Sequence, residues 1–396
     1  MQGVELYFFY LLAAASPLSI AAINVGLGGL TLFFIVRLVR GRYRPPAAAW
    51  ALVALFAWSV VCAIFSPLKG EAFNGVLNFW SWTALLTASA LPWGIRRHAD
   101  RFATFLALSV CLTLPASLLE FFLGMDIWHQ QAITQRILPG QVNAYGFFSH
   151  HLTYAGVMAA SLFFLAGRAV YATPPRRPLQ DAGILCAAMN IVMSMARTYY
   201  VALAPALAVL LWRKGRRRVV QVMAALAVVA ALGLAFGPAA LRHRVASLWD
   251  MGNASNAERV YLWVSGLKMV RERPITGWGM GTYPKAAEPF KAPYAPRIHY
   301  PGHEGFQTTG HCHNLYLMMA VQCGLPGLAL FLLFVVLAFK GLARQRDPAL
   351  RYGVMAAFTA FLVGGLFEFN GGDAEVATLM FFLLGLGLAP SGEESP

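Results

Sequence analysis

Two arginines and a pair of histidines are the residues of this chain whose types and settings suit them to chemistry. Arg197 stands in VMSMARTYYVALAPAL, between two apolar runs with almost no loop. A charge at that depth is costly unless it snorkels to lipid headgroups or lines a cavity or pathway. Its guanidinium matches a phosphate bidentately, so Arg197 reads either as an interfacial anchor or as an anion clamp. Arg259 stands early in a helical stretch, beside Glu258. It reads as half of a solvated ion pair, worth little, or as a second phosphate ligand at the positive end of a helix dipole. The segment HCHNLYLMMAVQCGLPG, residues 311–327, sets His311 and His313 on either side of Cys312 where an apolar helix begins. Residues two apart do not share a helix face, and no third ligand follows at a standard spacing, so no metal is expected there. A histidine at a water boundary can act as a general base, or simply as a cap. His150 and His151 lie in GFFSHHLTYAG, residues 146–156, and Arg136 lies in the connection before it. The Gly-rich GWGMGTY, residues 277–283, lacks the strand and helix of a dinucleotide site and reads as a turn.

The elements that must position these groups are membrane helices. Of 396 residues, 58% are hydrophobic and only 12% charged, and the mean hydropathy is +0.58. A soluble domain carries roughly 25% charge. Apolar segments near the length of a bilayer core recur at 5–21, 22–38, 47–66, 75–94, 102–124, 147–167, 182–196, 198–212, 219–236, 326–340, 352–369 and 374–390. The pattern predicts an all-α polytopic membrane protein of about twelve spans, and excludes a soluble enzyme, a disordered chain and a disulfide-stapled module. The five cysteines have no zinc spacing, and Cys62, Cys111 and Cys186 sit inside apolar runs as buried thiols. The start lacks a basic n-region, so no cleavable leader is expected.

The net charge of +14 divides into two populations. Nineteen of the 31 Lys and Arg fall in alternate connections, at 37–44, 96–101, 168–177, 213–218 and 340–351. Lysine and arginine collect in cytoplasmic loops, so both termini are expected in the cytoplasm. The short connections of the opposite face are nearly bare, with Lys69 and Arg136 in them. A long connection, 237–325, holds nine more basic residues and divides the chain into spans 1–9 (1–236), an outer loop (237–325) and spans 10–12 with a tail (326–396). Within the loop, Val260, Trp263, Leu267 and Val270 recur at helical spacing, Ser255 and Glu258 have capping-box spacing, and Pro274 ends the run. A helix over about 256–273, lying on the membrane surface, is predicted.

Four segments, in order, resemble the superfamily of O-antigen ligases and polymerases: GFFSHHLTYAG, SMARTYY, AERVYLWVSGLKMVRERPITGWGMGTY and HCHNLYLMMAVQCGLPG. They span 146–327, and the last two are the most specific. Many relatives have Glu where this chain has Gln322, so no carboxylate role is carried to that position. The resemblance implies a GT-C-like membrane glycosyltransferase; no cofactor is expected, and the lack of a carboxylate metal motif fits arginines standing in for the divalent metal that many glycosyltransferases use. It implies an undecaprenyl-diphosphate-linked O-antigen as donor and a sugar hydroxyl of the lipid A–core oligosaccharide as acceptor, with membrane lipids around the site and no nucleic acid partner. Carried over by position, Arg197 and Arg259 would hold the diphosphate and His313 would serve as base in an inverting displacement, on the periplasmic face of the bacterial inner membrane. His311, Asn314, His151 and Arg136 are further candidates for substrate contact. A polymerase or a protein O-oligosaccharyltransferase would share the same motifs, and a polyisoprenoid-glycan flippase would share the span count.

Overall fold

The computed structural model describes residues 2–125, 136–138, 141–172, 177–236, 253–300, 303–306 and 310–390, with 239, 242, 246, 247 and 250 between them. Two short antiparallel ribbons, Arg136–Leu138 with Gln141–Val142 and His299–Tyr300 with His303–Glu304, are the only strands among the described residues. The rest of the regular structure is helical. The principal helices are α1 (Gln2–Ala15), α2 (Ile20–Val39), α3 (Ala47–Phe65), α4 (Lys69–Asn78), α5 (Ala84–Ser89), α6 (Ala99–Leu118), α7 (His151–Tyr171), α8 (Pro178–Met193), α9 (Arg197–Leu211), α10 (Arg216–Phe236), α11 (Ala254–Glu272), α12 (Leu315–Ala343), α13 (Pro348–Gly364) and α14 (Ala374–Leu388). Among the described residues, five helical stretches are long and apolar enough to cross a membrane: Ile20–Val39, Ala47–Phe65, Ala99–Leu123, His151–Tyr171 and Leu315–Ala343. Pro178–Met193, Pro348–Gly364 and Ala374–Leu388 are shorter apolar helices.

The expected segment 75–94 is not one helix. It breaks at a 3₁₀ turn, Phe79–Thr83, between α4 and α5. The break serves a purpose, because it aims Trp82 at the centre of the bundle, stacked on Phe381 at 4.4 Å with its Nε1 donating to the Gly371 carbonyl at 2.8 Å. The last helix, α14, is the innermost, with every residue from Val376 to Leu388 buried. A helix surrounded by protein needs no polar face, which is why its sequence is apolar all round. In a lipid setting helices associate through close packing, and α7 meets α13 where Gly167 faces Gly353 with no room for a Cβ between them.

Charged connections gather at one end of the bundle. Arg168 pairs with Asp100 and, at 3.1 Å, with Asp347, while Arg177 reaches Asp100 at 3.3 Å. Three of the basic connections that the alternation assigns to one face are therefore tied directly to each other. Arg37 likewise pairs with the buried Glu5 at 2.6 Å.

The loop helix forms, with two differences from expectation. Its N-cap is Asn253, whose side chain accepts from the Ser255 N–H at 3.1 Å, and Ser255 instead accepts from Arg259 at 2.8 Å. Its buried stripe is Glu258, Leu262, Ser265, Gly266 and Met269, while Leu267 is exposed. That stripe packs on α12 and neighbouring loop segments, so α11 is not laid on the membrane by the face the spacing suggested. The residues 315–323 continue into span 10 across a kink at Gly324 (φ 67°), so that one helix runs Leu315–Ala343. The turn after α11 fits into this kink. Trp278 and Gly279 donate to the carbonyls of Val321 and Gln322, both at 2.9 Å, and Leu325 donates to Pro274 at 2.8 Å. Trp58 of α3 satisfies the Cys323 carbonyl that the kink releases, at 2.8 Å.

Candidate active site

The segment His311–Asn314 is placed by a double clamp on the connection between α13 and α14. The Leu315 N–H donates to the Gly365 carbonyl at 2.7 Å, and Asn314 Nδ2 donates to Leu366 at 2.9 Å. Asn314 also caps α12, its Oδ1 accepting from Leu317 N–H at 2.8 Å. Both ends of its amide are thus used within the protein. The far end of the connection is held by Trp82 on Gly371 and by Asn370 Nδ2 on the Phe361 carbonyl at 2.8 Å.

These clamps bring Glu368 opposite the histidines. His313 Nδ1 lies 2.7 Å from Glu368 Oε2, and His311 Nε2 lies 3.5 Å from Oε1. The two rings meet edge to face at 4.6 Å. His313 adopts φ 49°, and Met195, two residues before Arg197, adopts φ 54°. Among the described residues these are the only non-glycine positions in the left-handed region, and both adjoin the groups singled out from the sequence. Such backbone costs on the order of 1 kcal/mol or more and persists where the surrounding structure enforces it. Here α11 contributes to holding it, since Trp263 Nε1 donates to the His313 carbonyl at 3.4 Å.

The electrostatics follow from burial and neighbours. Burial alone would raise Glu368, but the facing His313 and His311, the His313 hydrogen bond and the Arg259 guanidinium outweigh it and hold the carboxyl well below the usual range. Burial lowers His311 to about 4, against the opposing pull of Glu368, so its ring is neutral near pH 7. His150 at the start of α7 is lowered by burial, and it feels Glu368, His313 and Arg259. Asp373, which accepts from Thr153 at 3.1 Å, is pushed up by burial and by the neighbouring charge of Glu368.

The two arginines come together on α11. Arg197 begins α9, where a cation opposes the helix dipole. It is 7% exposed and donates to the Ser247 carbonyl at 2.7 Å, to Ser247 Oγ at 3.0 Å and to Asn256 Oδ1 at 2.9 Å. Asn256 lies one helical turn before Arg259, on the same face of α11. Arg259 donates through Nη1 to Ser255, and its Nε is buried with no hydrogen-bond acceptor among the described residues. Arg259 also acts on Glu368, His311 and His150.

Of the residues expected to act, the structure therefore joins His313, His311 and Arg259 in one electrostatic cluster, with Arg197 tied to the same helix. His151 packs on His150 at 4.6 Å between ring centres. Arg136 lies on a short strand, and its side chain is outside the described residues. Glu368 is the functional candidate the sequence did not offer. It stands 55 residues from His313 in FEFNGGD, with no motif spacing, and the one available signal was a carboxylate stranded between two apolar runs. It also supplies the third ligand missing from the sequence: His311, His313 and Glu368 have ligand atoms within 4.8 Å of one another and by proximity could hold a metal ion.

An all-helical fold carrying a buried His–Glu–Arg cluster in the connections at its helix ends is that of a membrane protein with an enzyme-like site. Residues 182–332 match the family model described as O-Antigen ligase. The chain is also 26% identical over 116 residues to a Rickettsia conorii protein described as "Putative polysaccharide ligase", covering 29% of this chain and 27% of that relative. Over that segment the chain is similar to O-antigen ligases, and Arg197, Arg259, His311, His313 and Asn314 all lie within it.

Proposed function

We propose that this protein is a glycosyltransferase of the O-antigen ligase type, moving a polysaccharide from undecaprenyl diphosphate to a sugar hydroxyl of lipid A–core. The observation that carries this reading is the meeting of His313, the Glu368 carboxylate and Arg259, whose Nε–H has no acceptor among the described residues, beside an Arg197 tethered to the same helix. As the C1–O bond to the diphosphate breaks, negative charge grows on the leaving group, and fixed guanidinium donors stabilise it. Arg259 has a buried donor left to offer, and Arg197 adds a second fixed charge while pinning the start of α11. His313 takes the proton of the acceptor hydroxyl, which attacks C1 directly and inverts it. The site faces the periplasm from the bacterial inner membrane, with both termini cytoplasmic, because the linked basic connections mark the opposite end.

The test is transfer of lipid-linked glycan to lipid A–core by purified protein. Arg259→Ala, Arg197→Ala and His313→Ala should each abolish most transfer at normal expression, and near-native rates would defeat the assignment. Excess chelator should leave the rate unchanged, whereas loss restored by one divalent ion would show that His311, His313 and Glu368 hold a metal instead. Deletion of the gene should leave bare core and free lipid-linked polymer. Core bearing a single repeat unit would identify a polymerase.

A further inference from the structure

We propose that a cavity at the charged end of the bundle binds the headgroup of an anionic phospholipid, with Lys340 and Arg344 on its phosphate. The cavity has a volume of about 500 Å³ and lies between the start of α3, the last turns of α12 and the segment that follows α14. It is at the other end of α12 from His313 and shares no residue with the site described above. Lys340, Arg344 and Gln345 supply its polar side, and Ala47, Leu337 and Leu388 are among the apolar groups that face them.

The wall after α14 is held in place by side chains from elsewhere. Gln345 Nε2 donates to the Gly387 carbonyl at 2.9 Å and to the Ala389 carbonyl at 3.4 Å. Arg96 donates through Nη1 to the Pro390 carbonyl and through Nε to the Leu91 carbonyl, the latter at 2.8 Å. Carbonyls at the end of α14 thus already have donors. Among the described residues the side chains of Lys340 and Arg344 make no hydrogen bond, ion pair or ring contact. The next acid along the chain, Asp347, is engaged by Arg168 at 3.1 Å and by the Ala349 N–H at 2.8 Å.

The lining selects the sign and the shape of the ligand. No carboxylate faces the cavity among the described residues, and its two cations stand one turn apart on one side of α12. Lysine and arginine both suit a phosphate, the first as a point charge and the second as a fork. Toward the middle of α12 the same side turns apolar. Leu337 lines the cavity, and Leu333 and Val336 beyond it are each 47% exposed, on a helix long and apolar enough to cross a membrane. A phosphate on the cations with acyl chains along Leu337 and Leu333 uses both halves of this surface. An inorganic phosphate or a nucleotide would use only the first. Basic pockets between helices at the cytoplasmic side suit anionic headgroups, and which leaflet supplies the lipid rests on the orientation given above.

The test uses full-length protein, stripped of lipid in a neutral detergent. It is titrated with phosphatidylglycerol, with phosphatidylcholine of the same chains and with glycerol phosphate, and bound molecules are counted by native mass spectrometry. A basic residue beside an anionic headgroup is worth about fivefold in affinity. One phosphatidylglycerol should therefore bind at least about 10-fold tighter than phosphatidylcholine, and Lys340→Gln with Arg344→Gln should weaken it about 30-fold. Arg217→Gln with Arg218→Gln removes two exposed cations at the start of α10 and should change the affinity less than about 2-fold. Equal losses in the two double variants would mean diffuse attraction to a basic surface and overturn the proposal. Glycerol phosphate held as tightly as the lipid would make this a site for soluble anions and overturn it too. Lipid binding that appears only when residues 391–396 are deleted would make the chain's own tail, with Glu393 and Glu394, the occupant, which is a third refutation. Detergent solution has no leaflets and no glycan is transferred, so these outcomes are independent of the orientation and of the transferase reading.

Discussion

Asn314→Ala separates two roles for a residue that the sequence presents as a substrate contact. In the structure its Oδ1 caps α12 through Leu317 and its Nδ2 holds the Leu366 carbonyl. Loss of an Asn cap costs about 1 kcal/mol. The bond to Leu366 lies in an exposed setting, at the lower end of the range, or about 0.5 kcal/mol. The total, roughly 1.5 kcal/mol, is local to the seam that presents His313 to Glu368, and seam loosening of that size corresponds to about tenfold in a rate. Misplacement of reacting groups by about 1 Å costs up to 100-fold, so kcat should fall between about 10- and 100-fold while both KM values hold. Asn314→Asp keeps the capping oxygen and loses the donor to Leu366, so it should melt near the native temperature and still lose activity. The assay is steady-state transfer with both substrates varied, beside thermal unfolding. A raised acceptor KM with unchanged kcat would show that Asn314 binds substrate, and would refute this reasoning.

Three other perturbations follow from the geometry. Gly324→Ala places a Cβ 2.0 Å from the Ile275 carbonyl oxygen at φ 67°, and should destabilise the protein by about 3 kcal/mol; an unchanged melting temperature would show that the kink is not enforced. Arg259→Lys keeps the charge and loses the planar fork, so transfer should drop by about 100-fold, and a native rate would reduce Arg259 to a point charge. His311 sits at about 4 when folded against 6.5 when free. The unfolded chain therefore binds its proton first, and stability present above about pH 6.5 is lost as pH falls toward about 4. Thermal unfolding across that window should flatten in His311→Gln, and a parallel curve would exclude His311 as the source.

Much of the helix plan was legible because a bilayer-length apolar run is a strong local signal. The segment 75–94 misled because Phe79, Trp80 and Trp82 count as apolar whether they sit in a span or in a 3₁₀ turn. The buried face of α11 was unreadable for a related reason. Its helix is apolar on more than one side, and only the packing against α12 selects Leu262 and Met269 over Leu267. Arg197 and His313 stood out in the sequence because each is a polar group where an apolar helix begins, and Arg259 because it stands early in the loop helix and in a segment that carries the resemblance. Glu368 meets the same criterion, yet nothing local links it to a histidine 55 residues earlier; two hydrogen bonds from Asn314 and Leu315 make that link in space.

That seam bears on how the protein can be recombined. The segment that matches the O-Antigen ligase model, 182–332, ends well before Glu368, so the matched block and the His313–Glu368 contact have different borders in this chain. A chimera that transplants 182–332 into a relative would import the arginines and the histidine but borrow its carboxylate from the host's final inter-helix connection. Such a hybrid would keep these two contacts only where the host presents an acid there and a carbonyl for the Asn314 amide to grip. Compatibility between donor and host would then be read at residues 365–368, outside the exchanged block.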